Sequence, residues 1–179
     1  MKERPIIFSS DSVKAIMEGR KTQTRRVITG KFVIEDPKKV WDAQDLITEN
    51  KDKIKYIRCP YGKPGDRLWV RETWIAPGPA HTPFYKAYIP NVNIKIKWKS
   101  PIHMPRWASR ITLEITDVRV ERLQDITFHD LQAEAVGTQG ELTKAMEEYI
   151  QIWDNLNSKR GYPWSSNPWV WCLTFKVTP

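Results

Sequence analysis

The sequence predicts an α+β domain: a mostly antiparallel sheet curving toward a barrel, flanked by short helices. Three observations carry that expectation. Short apolar stretches with period-two alternation recur along the chain, helix-period stripes are few and lie between them, and no repeat or low-complexity tract divides the sequence. At 179 residues the chain is the size of one domain, spanning 1–179, and folding can bury roughly 70% of its unfolded surface.

The elements follow in order. Pro5 to Phe8 is apolar and reads as a strand. Ser9, Ser10 and Asp11 then offer capping oxygens to a helix whose apolar members are Val13, Ile16 and Met17, with Gly19 placed to end it. A tight cationic turn is expected over Gly19 to Arg26, followed by a strand at Val27 and Ile28. Residues 29–62 lose periodicity and gather charge, as an insertion would. Pro64-Gly65-Asp66 is a turn signal before a strand over Arg67 to Ile75, and Pro77 to Pro83 is a second loop.

Val92, Ile94, Ile96 and Trp98 alternate with polar residues as a strand with one wet face does. Two further strands are expected at Ile111–Ile115 and Val118–Glu121, around Thr116-Asp117. Thr127 and Asp130 form a capping box of unusual composition for a helix through Val136, closed by Gly137. Leu142, Met146, Tyr149, Ile150, Trp153 and Leu156 mark one stripe of a longer amphipathic helix. The closing strand places Trp169, Trp171, Leu173, Phe175 and Val177 on one face and Val170, Cys172, Thr174 and Lys176 on the other.

Composition narrows the function classes. Twenty-nine Lys and Arg against 21 Asp and Glu give a net charge of +8, a field that favours polyanions or simply keeps the chain soluble. Nine tryptophans are many for this length and point to a broad core or an aromatic surface. Cys59 and Cys172 stand far apart, without spacing for a disulfide framework or a zinc site, so a reducing, cytoplasmic setting and no metal are expected. His81, His103 and His129 have no ligand spacing either. The N-terminus lacks a signal peptide's apolar region, and no apolar run reaches the ~20 residues a membrane helix needs, so no membrane partner is expected.

The chemistry concentrates in Arg20, Lys21, Arg25 and Arg26, four cations within seven residues. Such crowding is costly unless an anion answers it. Arg20 and Lys21 could serve the negative end of the preceding helix, which leaves Arg25 and Arg26 for a ligand.

The run Gly19-Arg20-Lys21-Thr22-Gln23-Thr24-Arg25-Arg26 resembles the G-x-K-x-x-x-x-R signature of ASCH domains, supplying Gly19, Lys21 and Arg26 at the required spacing. Lys63-Pro64-Gly65-Asp66-Arg67-Leu68-Trp69-Val70 and the closing strand through Phe175-Lys176 are similar to further parts of that family. Arg71-Glu72-Thr73-Trp74 and Met104-Pro105-Arg106-Trp107-Ala108 resemble segments of a bacteriophage and prophage group within it. Against smaller ASCH domains, insertions fall at about 29–62 and 77–105.

The resemblance implies a PUA-like barrel whose cleft is floored by the signature loop and binds RNA or a nucleoside, with no cofactor. Some small bacterial members hydrolyse N4-acetylcytidine with a Lys, a Thr three residues on, and a Glu in a later helix. In this sequence those roles fall on Lys21, Thr24 and Glu134. Amide hydrolysis needs a nucleophile, a base and an acid for the departing amine, and a lysine crowded by Arg20, Arg25 and Arg26 would favour the neutral form that takes the Thr24 proton. Arg25 stands where the small hydrolases have an apolar residue.

A second group joins Arg71, Glu72 and Trp74, and a third interleaves Arg106, Trp107 and Arg110, patterns that can stack and hydrogen-bond bases or merely anchor a strand. The leading expectation is therefore a nucleoside- or RNA-binding ASCH domain acting as an N4-acylcytidine amidohydrolase. A non-catalytic RNA-binding module, or a ribonuclease using the same cationic cleft, is the alternative. A surface for another protein is a further one.

Overall fold

The computed structural model describes residues 1–29, 59–76, 82–89, 97–136 and 142–178. Most of the insertion expected at 29–62, the heart of the strand expected over 92–98, part of the insertion at 77–105, and Gly137 lie outside the described residues.

The chain opens with β1 (Glu3–Ile7) and turns at Ser9, whose hydroxyl accepts the Ser12 N–H and starts α1 (Ser10–Met17). Gly19 adopts φ 72°, a left-handed conformation that costs glycine little, and lets the Arg20 and Lys21 N–H groups both reach Ala15 O at 2.8 and 3.0 Å. The cationic turn is shorter than expected, because Arg25 and Arg26 already belong to β2 (Gln23–Val27).

Asp66 then accepts the Lys2 and Lys63 N–H groups and the Arg4 guanidinium, which pins the turn leading into β3 (Arg67–Arg71). The strand expected over 67–75 breaks at Glu72. β4 (Trp74–Ile75) turns away to pair with β5 (Phe84–Tyr85) in a separate ribbon. β6 (Thr112–Arg122) is one strand where two were expected, since a bulge between Ile115 and Asp117 absorbs the polar interruption without ending the ladder.

The Thr127–Asp130 capping box forms, with Asp130 in the place usually held by Glu or Gln, and opens α2 (Phe128–Ala133). α3 (Leu142–Asn157) and β7 (Trp169–Thr178) complete the chain. The five-stranded sheet has the order β1-β3-β6-β7-β2, antiparallel throughout except where β1 runs parallel to β3. Its two edges curl toward each other, so that Arg26 Nη2 on β2 donates to Ile7 O on β1 at 2.7 Å and Phe8 meets Phe175 at 6.0 Å between ring centroids.

Leu68, Leu113, Ile115 and Leu173 fill one side of the sheet with Ile6, Val13 and Ile16. β7 lies between β6 and β2, and Val170 to Leu173 are all buried because both of its faces are covered, the second by α2 and α3 through Leu131, Tyr149 and Trp153. The buried row of α3 is Ala145, Tyr149, Trp153 and Asn157, four residues apart. Leu142 and Leu156, expected in the core stripe, are exposed. The small side chain of Ala145 lets that row pack close, and the stripe is rotated accordingly.

No described helix is long and apolar enough to cross a membrane.

Candidate active site

The signature residues sit where three elements converge. Thr22 N–H donates to Ala133 O at 2.8 Å and Thr22 O accepts the Phe175 N–H at 2.9 Å, so the loop after α1 is stitched to the end of α2 and to β7. α2 ends on Glu134, and the chain reverses at Ala135 with φ 61°, a conformation that costs a non-glycine residue on the order of 1 kcal/mol. That reversal directs both the carbonyl and the carboxylate of Glu134 at Lys21. Lys21 Nζ donates to Glu134 Oε2 at 2.6 Å and to Glu134 O at 3.2 Å, and both side chains are more than nine-tenths buried.

Behind this pair lies Arg25, whose side chain has no exposure. It meets Glu121 at 2.6 Å, Asp130 at 3.2 Å and Glu134 at 3.3 Å, and donates to Gln23 Oε1 at 2.8 Å. Arg119 closes the network, bonding Glu121 at 2.8 Å and Asp130 at 2.6 Å. Lys21, Arg25 and Arg119 thus balance Glu121, Asp130 and Glu134.

Burial works against the Arg25 charge, but the acidic groups around it, Cys172, Glu134, Tyr149 and Glu121, outweigh burial and hold its pKa above the ordinary value. Burial likewise opposes the Asp130 carboxylate. The Thr127 hydroxyl and N–H, with the charges of Arg25 and Arg119, override it and hold that carboxyl below the usual range. The phenol of Tyr149 is pushed well up by burial.

In front of the pair is a cavity of about 640 Å³, within the range of small-ligand sites. Lys21, Thr24, Arg25 and Glu134 all line it, as do Tyr149 and Ile152 of α3. The three residues implied as catalytic are therefore brought together. Thr24 is buried, and its hydroxyl makes no hydrogen bond among the described residues.

The expected crowding of Lys21 by cations is corrected by this geometry. Glu134 stands between Lys21 and Arg25, while Arg20 turns outward to Glu18. Arg25 is corrected too: three carboxylates consume its charge, and it serves as the post on which Glu134 is positioned. Arg26 lines the cavity, stacked over Phe8 at 5.1 Å.

The other expected binding residues lie outside the cavity lining. Arg71 donates to Met104 O at 3.0 Å and to Ile102 O, and stacks on Trp69. Glu72, 1% exposed, forms a two-pronged pair with Arg110, which is itself held between the Tyr85 and Tyr88 rings. Trp74 is core, meeting Trp107 edge-on, and Arg106 pairs with Glu3 at 2.8 Å. Trp107 is widely exposed, at 64%. These side chains fasten residues 99–110 to β1 and β3.

Sequence reasoning missed Arg119, Glu121 and Arg160. The first two occupy alternate positions of one strand and so share a face, a pattern visible in the sequence only once β6 is known to be continuous.

The sequence matches no family model and no curated protein. Among solved structures, protein EF3133 from Enterococcus faecalis V583, of the DUF984 family, superposes with a TM-score of 0.50 at 11% identity, over 99% of this chain and 76% of that one. The chain shares its fold. An ASCH domain from Lactobacillus crispatus JV V101 aligns at a TM-score of 0.49 and 12% identity, over 98% of this chain and 79% of that one. The likeness to the Enterococcus protein agrees with the mixed architecture expected from the sequence, mostly sheet with a few short helices. Among the described residues, no group of three or more His, Cys, Asp or Glu side chains is placed to hold a metal ion.

Proposed function

We propose that the chain is an ASCH domain that takes a nucleoside or RNA ligand into the cavity over residues 19–26, and that it deacylates N4-acetylcytidine-type nucleosides. One observation supports this above the others. Glu134, 113 residues from Lys21 in sequence, lies 2.6 Å from its Nζ at the wall of a cavity that Thr24 also lines.

The pair suits the chemistry. A proton passing along the Lys21–Glu134 hydrogen bond leaves a neutral amine and a carboxylic acid side by side, the base and the acid that the reaction requires. Thr24 Oγ1 would attack the acyl carbon as its proton goes to Lys21, and Glu134 would protonate the exocyclic nitrogen as the C–N bond breaks. Both side chains are then charged again, and cytidine leaves. Water next attacks the threonyl ester, giving one proton to Glu134 while Lys21 returns one to the Thr24 oxygen, and acetate is released. Lys21 donates to Glu134 and shares no hydrogen bond with Thr24, so substrate binding would have to bring the base and the nucleophile into reach.

Chromatographic detection of cytidine from N4-acetylcytidine tests this. The native protein is expected to turn over and Lys21→Ala to be inert; no turnover by either, beside an active control enzyme, would overturn the hydrolase reading.

The engagement of Lys21 by Glu134 favours a second reading, a non-catalytic RNA-binding module with the same cavity. RNA affinity would then fall steeply with salt while N4-acetylcytidine stays intact, and affinity independent of salt would remove it.

A further inference from the structure

We infer that the cavity carries a phosphate subsite built by Arg26 and Arg160, which makes its ligand a phosphorylated one. This rests on the reading that the cavity takes a nucleoside.

Five cationic side chains line the cavity: Arg20, Lys21, Arg25, Arg26 and Arg160. Three are answered by carboxylates of the protein. Arg20 pairs with Glu18, Lys21 with Glu134, and Arg25 with Glu121, Asp130 and Glu134. Arg26 and Arg160 make no ion pair among the described residues. Asp11 and Glu148, the cavity's other acidic residues besides Glu134, are exposed, as Arg160 is, and neither pairs with Arg26 or Arg160 among the described residues.

Arg26 is held ready. Its guanidinium stacks on Phe8 and donates through Nη2 to Ile7 O at 2.7 Å, while its buried Nε has no hydrogen-bond partner among the described residues. Arg160 follows α3 and donates to Asn157 Oδ1 at 3.3 Å; Asn157 is buried and in turn donates to Trp153 O at 3.1 Å. Both guanidiniums belong to the cavity lining, and burial first, then the charge of Arg160, lower the Arg26 pKa. Two like charges beside one cavity, each with free N–H donors, are unfavourable when it holds only water. A phosphate oxyanion relieves the repulsion and accepts from both forks, the geometry for which guanidinium is suited. The phosphate could be the 5′-monoester of a nucleotide or the phosphodiester of RNA.

Calorimetric titration of the full chain separates these. The probes are N4-acetylcytidine, its 5′-monophosphate, and an RNA trinucleotide centred on N4-acetylcytidine without terminal phosphates, each against the native protein and Arg160→Gln. The 5′-monophosphate or the trinucleotide is expected to bind about tenfold more tightly than the nucleoside, and the ratio to fall toward one in Arg160→Gln. A gain for the monophosphate alone assigns the nucleotide; a gain for the trinucleotide assigns the RNA backbone. Equal binding of all three probes, or a gain that survives Arg160→Gln, overturns the subsite while leaving nucleoside binding intact. Binding of none overturns both.

Discussion

Arg25→Met isolates the post on which the candidate site is built. The side chain is fully enclosed and faces Glu121, Asp130 and Glu134 within 3.3 Å. Methionine fills much of the volume but carries no charge, leaving three carboxylates to share Lys21 and Arg119. Breaking a buried pair by removing one partner costs about 3–5 kcal/mol. For a domain of this size each kcal/mol lowers Tm by roughly 2–4 °C, so a loss of about 10 °C is expected at pH 7. The sign of its pH dependence is also set. In the native protein the Asp130 carboxyl is held below its ordinary value of 3.8, so the stability it contributes is present above that pH and declines as pH falls below it. In the variant the carboxylates lack a counter-charge and protonate more readily. Acid therefore relieves the variant, and below pH 3.8 it erodes the native protein, so the Tm gap should narrow between pH 7 and pH 2. Calorimetric melts of both proteins across that range are the assay. A loss under about 2 °C at pH 7, or a gap that widens toward acid, would refute the electrostatic account.

Glu72→Ala leaves Arg110 unpaired between two tyrosine rings; as Arg110 is partly exposed, a loss of about 1–2 kcal/mol in urea unfolding is expected, with no change in cavity ligand affinity. Gly62→Ala sets a methyl 2.8 Å from Arg4 Nη1 and 2.9 Å from Asp66 Oδ2 on backbone with φ 121°, and should cost about 1–3 kcal/mol by thermal melting; an unchanged Tm would mean that the Asp66 turn is looser than its bonds suggest. The Cys59 and Cys172 thiols are buried and pushed up by that burial, so a thiol-specific chromogenic disulfide should label neither within minutes at pH 8 in the native protein and both in guanidinium chloride.

Local chemistry was legible where one short segment decides the outcome. Ser9 and Gly19 bounded α1, the Pro64-Gly65-Asp66 turn announced β3, and Thr127 with Asp130 opened α2. What failed depends on partners distant in sequence. Arg25 reads as a free cation until β2 is laid against β7 and the face of β6 bearing Arg119 and Glu121 comes with it. Thr116-Asp117 reads as a turn because a bulge and a turn use the same polar residues, and only the continuous β7 ladder tells them apart. The α3 stripe differs from expectation because Leu142 and Leu156 look like core by composition, while the small Ala145 fixes which row packs inward. For the site, the family resemblance named Lys21 and Thr24 in residues 19–26 and Glu134 in the later helix, which the fold gathers around one cavity; Arg71 and Arg106, in the tryptophan and arginine segments, bond other parts of the chain.

The stitch between Thr22, Ala133 and Phe175 has a temporal meaning. Lys21 leaves the ribosome more than a hundred residues before the carboxylate that answers it, and the strand that locks its loop follows later still. Until then the basic segment must wait in solvent without its internal partners. Closing so long a loop adds little to the thermodynamic cost, since each doubling of length adds only about 0.6 kcal/mol, but non-local pairing of this kind is slow. The appearance of a competent cavity should thus await the docking of β7, and a ligand that stabilises it would report that docking.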